Sequence, residues 1–158
     1  MAKRVKVAWL FQYGNKINNL AKQSMKIIST KEEREQLIEL LVSKKSNLLP
    51  LDRKDCNYLK DAQTVIEYTF RTNLMRDENR VTELIKIVNE ADLSNIKEYH
   101  CLYFIIRSSS IHDITMDEMS DICKVLEKIC NDETSILWTS SHDNSLTCNL
   151  ELVIVASK

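Results

Sequence analysis

The side chains best suited to catalysis lie close together near the end of this chain. His142, Asp143 and Ser145 are the three residue types of a hydrolytic triad, and Cys148 adds a thiol that a histidine base could activate. A triad needs its base placed in space between the nucleophile and the orienting acid, whereas neighbouring residues on a tight turn point in diverging directions. We therefore interpret this segment as a polar turn between two strands.

Metal-binding residue types are present, but not at the spacing of a ligand set. His100 and His112 have no His or Cys partner three or four residues away on a helix. The five cysteines form no Cys-x-x-Cys pair, and an odd number argues against a disulfide framework. Because we find no export signal at the start of the chain, we expect reduced thiols in a cytoplasmic protein.

Composition narrows the classes of partner. The chain has 158 residues and a formal net charge of -1, and its Lys and Arg residues are not clustered, so nucleic acid is not an expected partner. Its longest apolar run, residues 152–156, is far shorter than the roughly 18 residues of a membrane span. Gly14 is the only glycine, whereas phosphate-binding loops need several, so we expect no nucleotide-binding loop and no cofactor.

Helices are predicted by capping residues followed by apolar stripes. Two segments open with Thr followed three residues later by Glu, a capping box. These boxes, Thr30 with Glu33 and Thr115 with Glu118, predict helices over residues 30–44 and 115–130. Asp77 is predicted to cap a third helix that ends near Glu90. The spacing of Ile17, Leu20, Met25 and Ile28 favours a short helix near the start of the chain, after a strand or buried helical turn at residues 5–13.

Strands are predicted where β-branched and aromatic residues concentrate. Residues 64–72 alternate as a strand buried on one side, and residues 101–106 are apolar throughout, as in the middle of a sheet. Residues 135–140 and 148–156 are predicted to close the sheet as a hairpin. Residues 47–61, which precede the first of these strands, are predicted to form a loop with one helical turn.

These elements predict an α/β (α+β) two-layer sandwich. A four-stranded mixed sheet carries two helices on one face, and a helical segment lies N-terminal to this core. Residues 1–29 are predicted to form an N-terminal segment of uncertain role, and residues 30–158 to form the domain.

Four segments resemble strings of the C-terminal domain of FtsZ, the tubulin-superfamily protein that builds the bacterial division ring. They are Asp77-Glu78-Asn79-Arg80, Asp92-Leu93-Ser94, residues 132–138 and residues 150–156, and together they cover about residues 76–158. The resemblance implies an FtsZ-like two-layer domain that lacks the GTP-binding domain.

Upstream, residues 47–55 lie where this family carries its synergy loop, an Asn-x-Asp-x-x-Asp pattern. Asp52 and Asp55 keep the acidic spacing, whereas Pro50 replaces the Asn of the motif. In the family these carboxylates reach the nucleotide of the next subunit in a filament and orient the attacking water. The resemblance therefore implies that Asp52 and Asp55 are synergy-loop acids. The alternative is a loop pair that caps local amides.

The sequence leaves two classes of function open. The first is a non-catalytic interaction domain that docks on an FtsZ-like or tubulin-like filament or associates with itself, and that at most supplies Asp52 and Asp55 to the GTP site of a partner. The second is a small enzyme or ligand-binding domain of the same architecture, whose polar groups converge only in three dimensions.

Overall fold

The computed structural model describes residues 22–45, 47–74 and 79–158. These residues form five strands, which are β1 (Lys22–Ile27), β2 (Val65–Arg71), β3 (Cys101–Ser108), β4 (Ser135–His142) and β5 (Glu151–Ser157). The four α-helices are α1 (Lys31–Val42), α2 (Asn57–Asp61), α3 (Arg80–Glu90) and α4 (Met116–Ile129). Short 3₁₀ helices at Arg53–Cys56, Ser94–Glu98 and Asn144–Leu146 connect them.

The helix starts follow the capping chemistry of the sequence. Both predicted capping boxes are formed, at Thr30 before α1 and at Thr115 before α4. The predicted cap of α3 is wrong, because the side chain of Asn79 accepts hydrogen bonds from the amides of Val81 and Thr82. Asp77, two residues earlier, lies outside the described residues.

The sheet is mixed and has the strand order β1-β2-β5-β3-β4. The predicted class is confirmed, with five strands where four were expected. The predicted closing hairpin is wrong, because β5 pairs antiparallel with β2 and β3, and β4 pairs parallel with β3. The long excursion through α4 makes the parallel β3–β4 pair possible, since parallel strands need a crossover connection.

The additional strand is β1, at the edge beside β2. The short helix predicted through Met25 and Ile28 is wrong for the described part of that segment, because residues 22–27 are extended and pair with β2 in antiparallel register. Ile17, Leu20 and residues 5–13 lie outside the described residues. The predicted boundary at residue 30 therefore separates β1 from the sheet to which it belongs.

The core lies on both faces of the sheet, because β3 and β5 are buried on both sides. Helices α3 and α4 cover one face, as predicted, and meet Leu102, Phe104 and Ile106 of β3. Helices α1 and α2 cover the other face, where Tyr103 and Ile105 of β3 point. Residues 64–72, predicted as a strand, form β2, whose side chains at positions 66, 68 and 70 pack in the cluster under α3 and α4, while Val65 is buried in the other cluster.

Candidate functional site

Two polar regions hold the residues that the sequence singled out, except His100, which lies just before β3. The first, here called the acidic loop, comprises residues 47–61 and contains Asp52 and Asp55. The second, here called the polar network, comprises residues 108–113 and 142–149 together with Arg80.

The acidic loop is fixed between α1 and the outer edge of β4. The amide of Leu51 donates to the carbonyl of Leu41 in α1 at 3.0 Å. The amide of Leu48 donates to the carbonyl of Ser140 at 2.7 Å, and the hydroxyl of Thr139 donates to the carbonyl of Leu49 at 2.7 Å. The backbone of the loop is therefore fixed, and so are the Cα positions from which its exposed side chains project.

Asp52 lies immediately before the 3₁₀ helix of this loop, and Asp55 lies within that helix. Asp52 caps the 3₁₀ helix Arg53–Cys56, and its carboxylate accepts from the amide of Lys54 at 3.1 Å. The backbone carbonyl of Asp55 accepts from the hydroxyl of Tyr103 at 2.7 Å, and both aspartates are exposed. The local capping that the sequence left open as an alternative therefore applies to Asp52. The carboxylate of Asp55 makes no hydrogen bond to the residues that the structure describes.

The floor of the acidic loop is chemically inert. Cys56 is fully buried, and this burial raises the pKa of its thiol to about 11. Burial likewise raises the pKa of the Cys101 thiol and of the Tyr103 phenol. All three groups stay protonated at neutral pH, and a protonated thiol is a poor nucleophile.

The outer surface of the loop combines apolar side chains with charge. Leu48, Leu49 and Tyr58 are 50%, 61% and 55% exposed. Arg53 docks the loop on α1 through Glu35, at 3.0 Å, and through Glu39. Because the side chains of Glu35 and Glu39 are 49% and 58% exposed, this pairing positions the loop more than it stabilises the fold.

In the polar network, His142, Asp143 and Ser145 do not form a triad, in agreement with the interpretation of this segment as a polar turn. His142 contacts Asp113, with 3.2 Å between Nε2 and Oδ2, and the other carboxylate oxygen of Asp113 accepts from Ser108 at 3.0 Å. Asp143 instead accepts from the amide and the hydroxyl of Ser145, at 2.9 and 2.6 Å. The aspartate thus caps a turn, the serine donates away from the histidine, and the order required for acyl transfer is absent here.

The other proposed nucleophile and the metal candidates are also separated. The thiol of Cys148 donates to the carbonyl of Leu74 at 3.6 Å, whereas His142 contacts Asp113. Within residues 22–45, 47–74 and 79–158, no group of three or more His, Cys, Asp or Glu side chains could hold a metal ion.

Arg80, to which the sequence analysis gave no role beyond the family resemblance, joins the parts of the polar network. Its guanidinium donates to both carboxylate oxygens of Glu118, at 2.7 and 2.8 Å. It also donates to the carbonyls of His112 and Asp113, at 2.6 and 2.8 Å. Hydrogen bonds from Arg80 lower the pKa of the Glu118 carboxyl, which is also the acid of the α4 capping box. One side chain therefore ties the first turns of α3 and α4 to the loop after β3.

A strained turn completes the network. Thr147 has φ 55° and ψ -113°, and the amide of Asn149 donates to the carbonyl of Leu146 at 2.9 Å. These are the angles of the first central residue of a type II′ turn, a position that favours glycine. The hydroxyl of Ser109 donates to the carbonyl of Thr147 at 2.6 Å and so holds the turn against β3. The polar groups of the network therefore hydrogen-bond neighbouring loops to one another.

Helices of membrane-spanning length and hydrophobicity are not found among the residues that the structure describes. No protein-family model matches the sequence, and no curated protein matches it.

Comparison with solved structures gives matches to FtsZ. An empty FtsZ dimer from M. jannaschii matches with a TM-score of 0.59 and 16% identity, over 75% of this chain and 34% of the FtsZ chain. A mutant FtsZ from M. jannaschii matches with a TM-score of 0.56 and 15% identity, over 78% of this chain and 38% of the FtsZ chain. The chain thus spans about a third of the FtsZ chains that it matches. The predicted resemblance is confirmed at the level of the fold: this chain has the fold of an FtsZ-like domain.

Proposed function

We propose that this chain is a non-catalytic interaction domain of the FtsZ and tubulin type, which docks on an FtsZ-like filament or associates with itself. The observation that carries the proposal is that, within an FtsZ-like fold, some acidic side chains are hydrogen-bonded inside the domain while another is exposed to solvent. Asp113, Asp143 and Glu118 are held by internal hydrogen bonds, whereas Asp55 is exposed on a loop whose backbone is fixed.

Asp52 and Asp55 are proposed to act on the GTP site of a partner. Orienting a water for attack on a phosphate requires a carboxylate oxygen within hydrogen-bond reach of that water. Asp55 offers both oxygens, while Asp52 offers the lone pairs left after capping Lys54. The chain itself supplies one glycine, too few for a loop of backbone amides around a phosphate.

The apolar side chains beside these acids suit a protein partner. Leu48, Leu49 and Tyr58 lie on the same short segment as Asp52 and Asp55, and each is at least half exposed. Aromatic and aliphatic anchors surrounded by polar groups are typical of the central contacts of protein interfaces. The proposal includes a cytoplasmic location, where such filaments assemble.

The test is co-sedimentation of the full chain with a purified FtsZ filament, with and without GTP, together with the rate of GTP turnover. We expect the chain to pellet with the filament and to change its turnover. Leu49→Asp should reduce pelleting, because it places a charge in the proposed contact. Asp132→Ala, which removes an exposed acid outside the acidic loop, is the matched control for the acidic substitutions.

Asp52→Ala and Asp55→Ala test the borrowed acids separately from docking. Each should keep the chain in the pellet and alter the effect on GTP turnover. Turnover equal to that with the parent chain would remove the borrowed-acid role and leave docking. Absence of the chain from the pellet at any filament concentration, with unchanged turnover, would remove the filament-docking proposal.

A further inference from the structure

We propose that copies of this chain associate edge to edge, with β1 of one copy pairing antiparallel to β4 of the next, so that one sheet continues through both. This inference rests on the proposed interaction role and specifies its self-associating form. It uses a surface different from the acidic loop, so the two can fail independently.

The first half of β4 has hydrogen-bonding groups directed away from the sheet. The amide of Ser135 donates inward to the carbonyl of His100, and the carbonyl of Ser140 accepts from Leu48 on the outer side. Since successive residues of a strand alternate in the direction of their backbone groups, Ile136 and Trp138 direct theirs outward. No described residue pairs with them, because the acidic loop covers only the later part of this edge.

The outer edge of β1 has the complementary alternation. The amide of Ile28 donates inward to the carbonyl of Val65 of β2. Residues 27, 25 and 23 therefore direct their backbone groups outward, and no other described strand pairs with this edge. Unpaired strand edges of this kind are templates for pairing with another chain.

Strand directions allow the two edges to meet in neighbouring copies. Along the order β1-β2-β5-β3-β4 the first three pairings are antiparallel and the last is parallel, so β1 and β4 run in opposite directions. Placing a second copy beside the first in the same orientation thus brings β4 against β1 as an antiparallel pair. An in-register contact sets Ile27 opposite Ile136 and Met25 opposite Trp138.

The side chains of this pairing fall on the same face. Met25, Ile136 and Trp138 all pack against the cluster under α3 and α4. Ile27 is on the same side of its strand as Met25 and is 47% exposed. Apolar cross-strand pairs of this kind stabilise a sheet, by roughly 0.2–1 kcal/mol for each pair. The strand direction, the outward amides and the apolar faces therefore agree on one register.

The alternative pairing of β1 with a second β1 is less favourable. β1 contains Lys22 and Lys26, which a two-fold pairing would bring near their copies, whereas residues 135–141 of β4 carry no charge. A β1–β4 contact uses two different surfaces, so it does not close on itself and adds further copies at both ends.

The test is sedimentation velocity of the full chain over a rising concentration series, without GTP. We expect the average mass to rise with concentration. Ile27→Pro and Ile136→Pro each remove one outward amide, and proline is tolerated where a strand N–H faces away from the sheet. Each variant should remain monomeric, while Ile27→Val and Ile136→Val, which keep the amide, should assemble as the parent does.

Mixing the two proline variants distinguishes this contact from other kinds of self-association. Each variant retains one intact edge, so an equimolar mixture should form a heterodimer and nothing larger. A parent that stays monomeric, proline variants that assemble, or a mixture that stays monomeric would each overturn the proposal. Circular dichroism verifies the fold, and Ile27→Lys and Ile136→Lys replace any proline variant that unfolds.

Discussion

The polar network and the acidic loop contain similar residue types, yet they use them in opposite ways. In the network, Asp113 and Asp143 are held by hydrogen bonds from neighbouring side chains. In the acidic loop, the backbone is bonded to α1, β3 and β4, and the carboxylate of Asp55 faces solvent. A cluster of chemically competent side chains is therefore a site only where their polar atoms are left available.

The largest expected loss of stability follows removal of the arginine of the polar network, whereas removal of the arginine of the acidic loop is its matched comparison. Arg80→Ala leaves Glu118 partly buried without its bidentate partner and frees two carbonyls, so it should cost about 3 kcal/mol of unfolding free energy. Arg53→Ala, whose partners are exposed, should change stability little. Urea unfolding of both variants measures the difference. Equal losses would contradict the distinction between the two regions.

Acid sensitivity should be concentrated in the polar network. Because Arg80 lowers the folded-state pKa of Glu118, the ionised carboxylate stabilises the fold at neutral pH. That contribution is fully present above the ordinary glutamate pKa of about 4.3 and is lost as the pH falls through the lowered value. Glu118→Gln should therefore be less stable than the parent at neutral pH, by about 1–2 kcal/mol, with the gap narrowing in acid. Unfolding midpoints at several pH values test this, and a gap independent of pH would exclude it.

A gain in stability is expected at the strained turn of the network. Thr147→Gly removes the Cβ that opposes positive φ, and should raise the unfolding free energy by about 1 kcal/mol after the entropy of the unfolded glycine is counted. Thr147→Ala keeps a Cβ and is the matched control, which should bring no such gain. Thermal unfolding of the two variants compares them directly. A glycine variant less stable than the alanine variant would show that the turn carries little strain.

The smallest effect on stability is expected for Asp55, the exposed acid of the acidic loop. Asp55→Ala should leave the melting temperature almost unchanged, because the hydrogen bonds of Asp55 are made by its backbone amide and carbonyl, which the substitution keeps. Asp143→Ala removes the cap on Ser145 and should cost about 1 kcal/mol. If Asp55→Ala were the more destabilising of the two, the exposed carboxylate would have a structural partner.

Local chemistry in the sequence predicted local structure well. Thr30 and Thr115 cap their helices as the capping-box pattern indicates, because both partners lie within one turn. The alternation of residues 64–72 and the apolar run at residues 101–106 likewise specify their strands. The cap of α3 was placed two residues early, since Asp77 and Asn79 are equally suitable by type.

Long-range structure was less accessible from the sequence. Two short strands joined by a polar turn usually pair, yet β3 lies between β4 and β5. β1 was overlooked because KQSMKI lacks the apolar alternation of a buried strand, which an edge strand does not need. Arg80 meets carbonyls more than thirty residues away, and no spacing rule marks such a contact.

The position of β5 has a consequence for synthesis. Of the five described strands, β5 is the last to be synthesised, yet it lies in the centre of the sheet and joins β2 to β3, whose partners on that side do not exist until residues 151–157 leave the ribosome. Until then, the nascent chain holds two separate halves with bare inner edges, a state open to mispairing. Completion of this domain is therefore a late event, and products truncated before residue 151 should be substrates for chaperones and proteases.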